Sequence, residues 1–111
     1  VDVDLTVLRN LLVAIESEMS HLDYWETSTP DSRALNSTLP FCCDTLKFSQ
    51  WMQFVLLKRM YIAVENQHTL PASCNISPYA EEVFKTLDED TSRLLVLIRD
   101  LDALFSNESS A

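Results

Sequence analysis

Apolar residues recur at three- and four-residue steps through most of this chain, and where that spacing lapses, prolines and small polar residues take over. Val7, Leu8, Leu11, Leu12, Ile15, Met19 and Leu22 mark one stripe of an amphipathic helix over about Asp4–His21. Asp2 and Asp4 suit its N-terminus, where free N–H groups and the dipole favour acids. A second helix is expected over about Ser49–Glu65 with Ser49 as N-cap. Trp51, Met52, Phe54 to Leu57, Met60 and Ile62 to Val64 make it apolar almost all round, as befits the centre of a domain. Asn66 can take the left-handed cap that glycine usually fills, and Leu70-Pro71 blocks continuation. Ser77-Pro78 opens a third helix as N-cap and first-turn proline, with Tyr79, Ala80, Val83, Phe84 and Leu87 inward. A fourth begins near Asp88 to Asp90 and repeats Leu94, Leu97, Ile98, Leu101, Leu104 and Phe105.

Between residues 23 and 47 no helical period persists, and Thr29-Pro30 and Leu39-Pro40 interrupt it. A connection this long inside a compact domain is packed or functional. It carries Tyr24, Trp25, Leu35, Leu39, Phe41 and Leu46, so it is expected to wrap the bundle with Phe41 and Leu46 buried. The fold class is therefore all-α: a four-helix bundle-like single domain over residues 1–105, with a long packed loop between the first and second main helices and a polar tail at 106–111.

Composition sharpens this. The 111 residues include no glycine, against a usual share of about 7%. Glycine-rich phosphate loops are excluded, and residues other than glycine must end the helices. The net charge of −9, from 8 basic and 17 acidic residues, opposes direct nucleic-acid binding, although no acid occurs between Thr45 and Val64. No unbroken apolar run exceeds five residues, far short of the roughly 18 a membrane span needs. Cys42, Cys43 and Cys74 lack CxxC spacing and read as reduced thiols of a cytoplasmic protein. Three N-x-[ST] triplets, at Asn36, Asn75 and Asn107, are read as chance matches, since no signal-peptide pattern opens the chain.

Candidate chemistry centres on one charge. At 100° per residue the second helix sets Gln50, Gln53, Lys58 and Glu65 on one side and Arg59 nearly opposite, among Phe48, Met52, Val55, Ile62 and Ala63. A buried guanidinium needs a carboxylate, backbone carbonyls or an anionic ligand. Asp44, Glu81 and Glu82 are the candidate partners, in a buried ion pair or around a bound anion. Tyr24 and Trp25 are candidates for an interaction surface, while Trp51 reads as core. Cys42-Cys43-Asp44 would be reactive only beside His21 or His68, and inert thiols are the expected state. Three cysteines and two histidines without paired spacing give no zinc pattern, and no cofactor or metal is expected.

The segments Asn36-Ser37-Thr38-Leu39-Pro40-Phe41-Cys42-Cys43-Asp44-Thr45-Leu46, Gln50-Trp51-Met52-Gln53, Arg59-Met60, Leu70-Pro71, Ile76-Ser77-Pro78-Tyr79 and Leu101-Asp102-Ala103-Leu104-Phe105, with Phe48, together resemble the YqcC-like family of bacterial proteins. The likeness covers roughly residues 20–105. It implies an all-helical cytoplasmic protein with no assigned activity, often encoded beside a tRNA pseudouridine synthase, whose name some members carry. The chain does not look like the synthase itself, a much larger mixed α/β enzyme with a catalytic aspartate. Where the family commonly has proline before Arg-Met, this chain has Lys58, which removes an expected helix kink.

These observations favour a non-enzymatic interaction or accessory domain that works through a protein partner in tRNA modification. A small-ligand or anion-binding bundle centred on Arg59 is the alternative, and a cysteine-dependent enzyme is the remote one.

Overall fold

The computed structural model describes residues 4–66 and 74–106. Helix α1 (Leu5–His21) opens on Asp4, whose carboxylate accepts from the N–H groups of Thr6 and Val7. Two short elements follow in the connection, α2 (Ser32–Leu35) and a 3₁₀ turn at Pro40–Cys42. One long helix then runs through α3 (Phe48–Trp51), a π-helical segment at Met52–Leu57, and α4 (Lys58–Asn66). The last two helices are α5 (Ser77–Phe84) and α6 (Ser92–Ser106). No strand occurs among the described residues, and the four main helices enclose one core. The Leu70-Pro71 stop, His68 and most of the C-terminal tail lie outside the described residues.

The core joins all four. Leu8, Leu12, Ile15 and Met19 from α1 meet Leu94, Ile98, Leu101 and Phe105 from α6, with the long helix and Ala80 and Phe84 of α5 completing it. Both α1 and α6 bury the centre of the stripe their periodicity marks, while Leu11, Leu22, Leu97 and Leu104 on its flanks are half-buried and Val7 is exposed. Arg93 of α6 and Glu18 of α1 add an ion pair at 3.5 Å beside that seam.

Without glycine, side-chain-bearing residues take the left-handed conformations. The end of α1 is a Schellman motif: Tyr24 N–H donates to Met19 O at 2.8 Å and Asp23 N–H to Ser20 O at 3.1 Å. Asp23 occupies the glycine position with φ 65°, and its short polar side chain tolerates that region better than most. Phe41 and Cys42 also have positive φ, 59° and 49°, each costing on the order of 1–2 kcal/mol. Packing holds the turn in place. Phe41 stacks on Tyr79 with centroids 4.4 Å apart and meets Trp51 edge-on at 4.8 Å, and the Thr45 hydroxyl donates to Ala34 O. The connection is thus ordered against the bundle. Leu46 is buried as expected, Phe41 only half-buried, and Leu39 is exposed.

The long helix departs most from its sequence reading. A π turn adds one residue per turn relative to an α-helix, which swings everything downstream by about 100°. Phe48 and Met52 set the buried face before the segment. Leu56, Leu57, Met60, Ala63 and Val64 set it afterwards, on average about 100° further round a regular wheel. Lys58 does not restore a regular helix, because the irregularity ends immediately before it and its N–H reaches back only to Val55 O.

Candidate functional site: an apolar cleft and its polar frame

Where α1 ends, α3 begins and α5 passes overhead, the bundle leaves a cleft of about 510 Å³, within the range of pockets that hold small ligands or side chains. Its floor is built from the buried Met19, Phe48, Met52, Phe84 and Leu94. Tyr79 and Val83 form a half-buried wall, and Leu87, 36% exposed, stands at the edge. Aromatic contacts stiffen that wall: Phe48 lies edge-on to Tyr79 at 5.5 Å and to Phe84 at 5.7 Å.

A polar frame fixes the mouth. Gln53, buried in the π segment, accepts from Glu26 N–H at 2.9 Å and donates to Glu26 O at 2.8 Å, so one amide pairs with one backbone unit. Gln50 accepts from Lys47 N–H at 2.9 Å and donates to the Glu26 carboxylate at 3.3 Å, joining the helix start to the same residue. The Tyr24 hydroxyl donates to the Glu89 carboxylate from the α5–α6 connection. Burial, and then that carboxylate, hold the phenol protonated well above its usual range. Asp23, Tyr24, Glu26, Leu46, Lys47 and Ser49 complete the lining.

A second polar site is closed. Asp102, buried in α6, accepts from Ile76 N–H through both oxygens at 2.9 Å and from Ser77 N–H at 2.8 Å. It caps α5 from a neighbouring helix, the service Ser77 was expected to render itself; the cap position is Ile76, which makes no side-chain cap bond. Burial foremost, and then the Asp102 carboxylate, raise the pKa of the Cys74 thiol beyond the usual thiol range. Among the described residues no buried side-chain nitrogen or oxygen lacks a partner.

The expected Arg59 centre does not assemble. The π segment turns Arg59 to the exposed side, and the buried ion pair drawn from a regular wheel is not formed. Asp44 is exposed and accepts from the Ser37 hydroxyl. Glu81 pairs with Arg99 and Glu82 with Lys85 at 2.8 Å. Gln50 and Gln53, placed on the outer side by the same wheel, are half-buried and buried. Tyr24 stands on the cleft rim, while Trp25 is half-buried against the core and outside the lining. Cys42 and Cys74 are buried, Cys43 is exposed, and all three are unpaired. No group of three or more His, Cys, Asp and Glu converges for a metal among the described residues, and no helix there is long and apolar enough to cross a membrane.

Asp102 had a legible signal. It falls four residues after Ile98 and three before Phe105, inside the apolar stripe of α6, where an acid must be answered. Gln53 had none, because its burial follows from the π turn.

With this geometry in hand, the likenesses gain meaning. The family model DUF446, described as tRNA pseudouridine synthase C, matches residues 7–104. The chain is 32% identical over 103 residues to Uncharacterized protein YqcC of Escherichia coli K12, covering 93% of this chain and 94% of that one. A solution NMR structure of protein YqcC from E. coli is similar with a TM-score of 0.79 at 31% identity, covering 93% of this chain and 88% of that chain. A Pectobacterium carotovorum protein named tRNA pseudouridine synthase C is 36% identical over 66 residues, which are 60% of this chain but 18% of that protein.

Proposed function

Because the chain belongs to the YqcC-like family, DUF446, we propose that it is a cytoplasmic, non-enzymatic accessory domain that binds a protein of tRNA modification through the apolar cleft. The cleft itself carries this reading: a preformed apolar hollow, framed by hydrogen bonds, on an otherwise acidic domain. Among the described residues its lining holds no cysteine or histidine, which favours binding over thiol chemistry. The partner class draws support from the Pectobacterium protein, where a stretch like this chain makes up 18% of a protein bearing the synthase name. The unpaired thiols fit a reducing compartment.

Sedimentation velocity of the purified chain mixed with the tRNA pseudouridine synthase C of the same bacterium tests the proposal. A complex is expected at about 10 μM of each protein, weakened by Leu87→Ser at the cleft edge. Independent sedimentation at that concentration would contradict it.

A further inference from the structure

We infer that the occupant of the cleft is an amphipathic helical segment of the partner, with apolar anchors seated between Met52 and Leu87 and lysines or arginines flanking them. This rests on the accessory-domain reading and adds the chemistry of the segment. Charge sets the flanks. Asp23 and Glu26 line the mouth, and the Tyr24 hydroxyl holds Glu89 beside it. The ion pairs among the described residues, Lys85–Glu82, Arg93–Glu18 and Arg99–Glu81, involve none of these three acids. Lys47 is the basic residue of the lining, so the mouth presents net negative charge on a chain that is itself −9. A basic segment is attracted and an anionic amphiphile repelled.

The binding mode follows from the walls. The described residues contain no strand and offer no sheet edge to an extended peptide. An apolar hollow between helices takes an amphipathic helix through anchors spaced three and four residues apart. The rim is also preorganised, since the Gln53–Glu26 amide pair and the Schellman turn at Asp23 fix it in place. Little ordering is then needed on the protein's side.

A 14-residue capped peptide with leucines at helical spacing and flanking lysines is the probe, titrated into the full chain by calorimetry and followed by amide chemical shifts. Micromolar binding is expected, with shifts concentrated at residues 23–26, 47–53 and 79–87. A glutamate-flanked version should bind at least 10-fold more weakly at low salt, and a leucine-to-serine version should not bind. Leu87→Ser should weaken binding several-fold. Asp23→Asn, which retains a residue suited to positive φ, should weaken it two- to fivefold. Equal affinity for the basic and acidic peptides, undiminished binding of the serine version, or shifts elsewhere on the surface would overturn the inference. So would tighter cleft binding by a neutral detergent such as octyl glucoside. A synthase complex that Leu87→Ser weakens, without any peptide binding, would sink the helix chemistry alone. Peptide binding at the cleft without a synthase complex would sink the choice of partner alone.

Discussion

Two of the buried polar side chains of this small bundle, Asp102 and Gln53, serve opposite ends. At the junction of α5 and α6, the buried Asp102 carboxylate accepts from the N–H groups of Ile76 and Ser77 through both its oxygens. At the cleft, the buried Gln53 amide is consumed by the backbone of Glu26, which fixes the rim above an apolar floor of buried side chains. Polar burial at the first place holds two helices together; at the second it fixes the rim of an apolar cleft. The distinction matters because a buried acid beside a cysteine resembles a reactive centre on paper. Here the thiol is held protonated, the state in which cysteine is a poor nucleophile.

Breaking the sealed site should have the largest effect on stability. Asp102→Ala strands the buried Ile76 N–H and removes the cap of α5, and is expected to cost roughly 2–4 kcal/mol, measured by urea unfolding. Asp102→Asn, which retains an acceptor, should lose less. Equal stability of the alanine variant and the parent would mean that the cap is dispensable.

How far these sites could be read from the chain follows from helix regularity. In α1 and α6 the period is unbroken, so Leu8, Leu12, Ile15 and Met19 and Leu94, Ile98, Leu101 and Phe105 are buried as spaced, and only the flanks of the stripes, Val7 above all, reach solvent. The absence of glycine also told truly that other residues would end helices, and Asp23 does so. The long helix failed the same reading because one π turn rotates α4 against α3. A regular wheel places Arg59 with the core and Gln53 at the surface, the reverse of their positions in the folded chain. The cleft itself depends on elements far apart in sequence, from Met19 to Leu94, and no local spacing announces it.

Loosening the cleft frame should come next in magnitude. Gln53→Ala removes both bonds to Glu26 and is expected to cost about 1–2 kcal/mol, with faster amide exchange at Tyr24 to Glu26. Unchanged exchange there would show that the rim is held by other contacts. The smallest effect belongs to Arg59. Exposed on α4, its replacement by alanine should move unfolding by no more than about 0.5 kcal/mol. A loss of several kcal/mol would restore the buried ion pair that the π segment abolishes.

Hydrogen exchange of the full chain, alone and with a saturating excess of the synthase proposed as its partner, tests most directly the proposal that the cleft binds and the cap only supports. The account predicts slowed exchange at residues 23–26, 46–53 and 79–87 on complex formation, with residues 98–105 around Asp102 unchanged. Protection confined to the exposed face of α4, or a stable complex that leaves the cleft segments unprotected, would contradict it.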